Sequence, residues 1–101
     1  MSQYPLTLDE ITSWCRSRKR SLQESPIVLD SITERTEYLP AVAIDFSGPT
    51  AVGRINGWVS GAFDFQVIRV SDGENLYFGH VDVSRMEELE PAYQEFLNHL
   101  A

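Results

Sequence analysis

The sequence predicts an α+β fold, a small antiparallel β-meander of three to five strands with N- and C-terminal helices packed on one face. Three observations lead there. Each end of the chain carries apolar residues at helical spacing behind a capping signal. Between these ends lie segments whose apolar residues alternate, the period of a half-buried strand. Short breaks rich in glycine, proline and serine separate those segments. With 101 residues there is enough chain for one domain, residues 1–101, and too little for two cores.

The first helix is expected from Leu8 to Gln23. Thr7 and Glu10 have capping-box spacing, Leu8, Ile11, Cys15 and Leu22 form the stripe, and Trp14 lies beside it. Arg16, Arg18, Lys19 and Arg20 fall late in the helix, where cations suit the negative end of its dipole. Ser25-Pro26 stops it. Ile27 to Leu29 reads as a short strand, and Asp30 to Pro40 as a loop or an irregular strand. "AVAIDF" is a clearer strand, with Val42, Ile44 and Phe46 on one side. After the break "SGPT" comes a hairpin, Gly53 to Val70. A three-residue loop, Ser60-Gly61-Ala62, pairs Val59 with Phe63, Gly57 with Phe65 and Ile55 with Val67, so both apolar sets share a face. Asp72-Gly73 marks the next turn. "LYFGHVDV" is a strand of mixed parity, Leu76 and Phe78 against Tyr77, Val81 and Val83, which a bulge near Gly79 would reconcile. The last helix is expected behind Ser84 as cap with Glu87 three residues on. Its stripe is Met86, Leu89, Tyr93, Phe96, Leu97 and Leu100, and Pro91 kinks it or restarts it behind Glu90.

Charge and cysteine content narrow the function. The net charge is -7, and the run at Arg16, Arg18, Lys19 and Arg20 leaves four positive against fifteen negative charges elsewhere. Most of this surface repels a phosphate backbone, so the basic run reads as a solvated helix face and no nucleic-acid partner is expected. The only cysteine, Cys15, allows neither a disulfide framework nor a cysteine-based zinc site, and fits a reducing compartment. The opening "MSQYPLTLDEITSW" lacks the basic-then-apolar pattern of a signal peptide, and no apolar run is long enough for a membrane span. A cytoplasmic protein with no membrane partner is the expectation.

No constellation of residues spells out a catalytic site. His80 and Asp82 share a strand face, and an imidazole oriented by a carboxylate is half of an acid–base pair, but no nucleophile accompanies it. Cys15 lies on the buried stripe of the first helix and reads as a small core residue. His99 sits in the last turn of the last helix. The carboxylates of "MEELE" suit the first turn of a helix, and two histidines without ligand spacing make no metal motif. "FSGPTAVG" leads into a strand, which does not suit a phosphate loop. No metal and no cofactor are expected.

The hairpin is the informative stretch. Its polar side carries Arg54, Asn56, Trp58, Asp64 and Gln66, one aromatic anchor ringed by polar groups. That composition fits the core and rim of an interface as well as a solvent face bearing one tryptophan. Trp14 stands near the end of the first helix. Gly53, Arg54 and Ile55 open a strand, Trp58, Ser60 and Gly61 form a Trp-x-Ser-Gly turn, and an acidic–apolar strand and a serine-capped helix follow. This order and spacing resembles the TriTu family of immunity proteins, closely from Ala43 onward and more loosely over the first helix. Val59 departs from it, standing where an acidic residue is expected.

The resemblance implies a bacterial antidote, acting in the cytoplasm, that binds a cognate secreted toxin and occludes its active site. The associated toxins are ADP-ribosyltransferases of interbacterial competition and type VI secretion, some of which modify elongation factor Tu. The family inhibits by binding, so no catalytic residue carries over. Arg54, Asn56, Trp58, Asp64 and Gln66 are the expected toxin-binding residues. Two rivals remain at this level: an enzyme that reverses the toxin's modification, such as an ADP-ribose hydrolase, and an acidic adaptor for a partner that is no toxin.

Overall fold

Thr7 starts the first helix, α1 (Leu8–Ser21), with the expected capping box. Its hydroxyl accepts the Glu10 N–H at 3.1 Å, and the Glu10 carboxylate accepts the Thr7 N–H at 3.1 Å. The computed structural model describes residues 3–101; Met1 and Ser2, which begin the stretch read as lacking a signal peptide, lie outside it. The helix ends at Ser21, short of the expected Gln23. The Leu22 N–H turns back to the Arg18 and Lys19 carbonyls, and Gln23 follows in a turn. Ile11, Trp14 and Cys15 are buried. Burial pushes the Cys15 thiol up to about 12, as for a core residue.

Five strands follow in a fully antiparallel sheet of order β1-β2-β3-β4-β5. They are β1 (Val28–Arg35), β2 (Ala41–Ser47), β3 (Ala51–Trp58), β4 (Ala62–Arg69) and β5 (Asn75–Asp82). The stretch left open between loop and irregular strand is therefore an irregular strand as far as Arg35. Leu29 pairs with Phe46 and Ser31 with Asp45, so Asp30 is bulged out. The bulge lets Leu29 and Ile32, three apart, both pack on the core, which breaks the period-two pattern.

The central hairpin corrects the expected register. Gly57 pairs with Phe63, Ile55 with Phe65 and Gly53 with Val67, two residues away from the expected pairing. The loop is Val59-Ser60-Gly61. Its last position needs a positive φ, and Gly61 at φ +96° supplies it where Ala62 would be strained. Val59 leaves the hairpin ladder altogether, donating its N–H to Pro40 and accepting that of Leu6, each at 3.1 Å. A shift of two residues keeps every side chain on its expected face. Between β4 and β5, Gly73 takes the turn at φ +71°. The bulge in β5 lies at Leu76 and not near Gly79. Val67 pairs with Tyr77 and Ile68 with Asn75, so Leu76 is the extra residue. Leu76 and Tyr77 can then both touch the core, while Phe78 points to the opposite face.

The C-terminal segment begins with a short 3-10 turn (Met86–Leu89) and continues as α2 (Glu90–Leu100). Pro91 sits in the first turn of α2, where its missing N–H is harmless, so of the two expected outcomes, a kink or a restart, the helix restarts. Two details differ. Glu88, and not Glu87, reaches back, accepting the N–H groups of Ser84 at 2.6 Å and Arg85 at 3.0 Å. Glu90 is the first helical residue and Leu89 occupies the cap position.

Both helices cover the same face. Trp14 of α1 meets Tyr93 of α2 edge-on at 4.8 Å, and Phe96 packs on Phe46 at 5.0 Å and Phe65 at 5.8 Å. Gly53 makes room for Phe96, since a Cβ there would lie 2.7 Å from the ring. Arg18 pairs with Glu90 at 3.3 Å while its guanidinium lies over Trp14 and Tyr93. The Tyr93 hydroxyl is buried with no hydrogen-bond partner among the described residues, and burial pushes it up to about 12. Among the described residues no helix is long and apolar enough to cross a membrane.

Two predictions test this packing. Trp14→Ala is expected to lose roughly 3–5 kcal/mol in chemical denaturation, because a large aromatic site is emptied. Tyr93→Phe is expected to hold or raise the melting temperature, because it removes an unpaired buried hydroxyl and no hydrogen bond. The turn glycines give a matched pair. Gly73→Ala meets open space and should cost about 1 kcal/mol for its backbone alone. Gly61→Ala should cost clearly more, since the new Cβ would collide with the Val83 carbonyl oxygen.

Candidate functional site: the uncovered sheet face

With the helices on one side, the alternate residues of every strand face the other. Arg54, Asn56 and Trp58 project from β3, and Asp64 and Gln66 from β4. Asn56 pairs with Asp64 and Arg54 with Gln66, so the five residues singled out from the sequence form one contiguous patch. Trp58 is partly exposed at its end, opposite Ala41.

Neighbouring strands add residues that the sequence did not assign to this patch. Asp45 of β2 faces Arg54 and holds it by a two-pronged pair, Nε to Oδ1 at 2.7 Å and Nη2 to Oδ2 at 3.3 Å. The Ser31 hydroxyl donates to the same carboxylate at 3.0 Å. The Arg54 hydrogen bond, chiefly, holds the Asp45 carboxyl below the usual carboxylate range, and Arg54 is raised in return. Phe78 of β5 lies across from Gln66 and is 65% exposed. Its place was hidden because the Leu76 bulge reverses the parity of the strand's first residues.

His80 also belongs here, across from Asp64. Its Nδ1 lies 2.6 Å from Asp64 and its Nε2 3.1 Å from Asp82. Hydrogen bonds to Asp64 first and Asp82 second raise the imidazole above its ordinary value of 6.5. With a carboxylate on each nitrogen, the ring is best satisfied as a cation donating twice. In this arrangement the triad forms an ionic clasp between β4 and β5. Among the described residues no group of His, Cys, Asp and Glu could hold a metal ion.

At one end the patch deepens into a cleft of about 650 Å³. Trp58 and Asn56 form one wall, Ala41 and Ala43 lie at the base, and the β1–β2 connection with Tyr38 forms the other wall. Tyr38 is fully exposed and adopts φ 57°, a left-handed conformation uncommon for a tyrosine. The connection had no readable pattern, since its residues contribute little to the core.

A family model described as "Immunity protein TriTu" matches residues 9–99, which take in nearly all of both helices and the whole sheet. No curated protein and no solved structure matches the chain.

The ionic clasp has a pH signature. Because the folded state raises the His80 value, its stabilisation is fully present below 6.5 and is lost as pH rises through the folded midpoint. Proton NMR of the imidazole is expected to show a midpoint above 6.5, and Asp64→Asn should move it back down. A wild-type midpoint at or below 6.5 would show that the clasp does not form in solution.

Proposed function

The chain belongs to the TriTu immunity protein family, and on that premise we propose that it blocks its cognate toxin with the uncovered face of the sheet, laid over the toxin's active site. The support is the composition of that face. Trp58, Phe78 and Val52 are apolar groups held outward by a sheet whose core lies on the other side, with Arg54, Asn56, Asp64 and Gln66 around and between them. Aromatic anchors with a polar surround are the parts from which protein interfaces draw most of their energy.

In this reading the toxin is an ADP-ribosyltransferase, and inhibition takes place in the bacterial cytoplasm. Its active site must hold the diphosphate of NAD, which favours a cleft lined with positive charge. A chain of net charge -7 approaches such a cleft with its field already attractive. The inhibitor needs no reactive group of its own, only a surface that fills the cleft.

The test is binding and protection with the cognate toxin. Trp58→Ala and Phe78→Ala are each expected to cost at least about 2 kcal/mol of binding, some thirtyfold in Kd. Both should leave the melting temperature nearly unchanged, since these side chains lie outside the core. Asp64→Lys should slow association, with an effect that shrinks as salt rises, and should also break the contact to His80. Wild-type binding by all three variants would place the toxin contact elsewhere on the molecule.

A further inference from the structure

A second surface lies beside α1, at the end of β2 remote from Trp58. A groove of about 440 Å³ runs between the last two turns of α1 and the start of β1. Its apolar lining is Leu22, Ile27, Val28 and Leu29, and its charged lining is Arg16, Lys19 and Arg20 alone. These three residues stand at i, i+3 and i+4, on one side of the helix, and all are exposed. None takes part in an ion pair among the described residues, although the chain carries fifteen carboxylates. Arg18, within the same run, turns the other way to Glu90. Like charges so placed repel each other, and the dipole of the helix end accounts for cations there but not for an apolar groove between them.

We propose that this groove docks an extended acidic segment of a partner protein. Carboxylates would meet Arg16, Lys19 and Arg20, and an apolar side chain would fill the space against Leu22 and Val28. β1 is an edge strand, so its outer row of backbone groups is open to an added strand. Val28 is half exposed at the start of that edge. A nucleic acid fits less well, because outside the basic run four positive charges face fifteen negative ones and phosphates beyond the groove would be repelled. The groove and Trp58 lie at opposite ends of β2, where Val28 pairs with Ser47 and Trp58 with Ala41, so the two sites can be tested apart.

The probe is a short fluorescein-labelled peptide of aspartate and valine, titrated with the full chain and followed by anisotropy. Saturable one-to-one binding that weakens with salt is expected. Combining Arg16→Glu, Lys19→Glu and Arg20→Glu should weaken it by roughly tenfold or more. Val28→Glu should weaken it too, and Trp58→Ala should not. All these side chains are at least partly exposed, so circular dichroism should show the fold intact, with some loss of melting temperature in the triple variant because three glutamates oppose the dipole at the end of α1. Three results overturn the proposal. One is absence of saturable binding, or equal binding by the charge-reversed variant. Another is tighter binding of single-stranded DNA of matching charge. The third is self-association of the unliganded chain that the charge reversals abolish, which would make a second copy the occupant.

Discussion

The structure depends on packing its buried aromatic rings on one side of the sheet. Trp14 touches Tyr93, Tyr93 approaches Phe46, and Phe96 bridges Phe46 and Phe65, so one run of aromatic contacts joins α1, α2, β2 and β4. Each contact draws a helix onto the same face. Because strand side chains alternate, burying Ile44, Ile55 and Phe65 on that face obliges Asp45, Arg54 and Asp64 to occupy the other. The uncovered face is thus a direct consequence of how the core is filled. Gly53 shows how closely the two are coupled, since any side chain there would displace Phe96.

On the uncovered face, where no second layer packs, cross-strand ion pairs link neighbouring strands. Asp45 ties β2 to β3 through Arg54, and His80 ties β5 to β4 through Asp64. These pairs are largely exposed and contribute modestly to stability. On the proposed reading they have a second effect: they order the polar groups around Trp58 and Phe78, so that a toxin would meet a surface already arranged and lose less freedom on binding. That suits an immunity protein, whose work is to bind.

Several features were legible because they are local. The Thr7–Glu10 box, the stripes of both helices, the Asp72-Gly73 turn and the shared parity of Arg54, Asn56, Trp58, Asp64 and Gln66 all follow from short-range spacing. The irregular features were not. A bulge at Asp30 and another at Leu76 each add one residue, and one residue is enough to invert a parity argument. Phe78 and the course of β1 were obscured for that single reason. The hairpin register moved by two residues, yet the faces survived, because two is the period of the strand.

By itself the sequence determined that two amphipathic helices, the first with its cap, flank an antiparallel meander, and that one side of the central hairpin is apolar and the other mixed. It could do so because capping, turn formation and side-chain alternation act over a few residues. Only the tertiary structure decided where the ladder is interrupted, which outward residues become neighbours, and that Phe78 and His80 join the patch around Trp58. Those outcomes depend on contacts between strands far apart in the chain. They also depend on Gly61, whose positive φ and close approach to Val83 set the turn that aligns β3 with β4. Local pattern assigns a side chain to a face, but the other residues on that face are chosen by packing across the sheet.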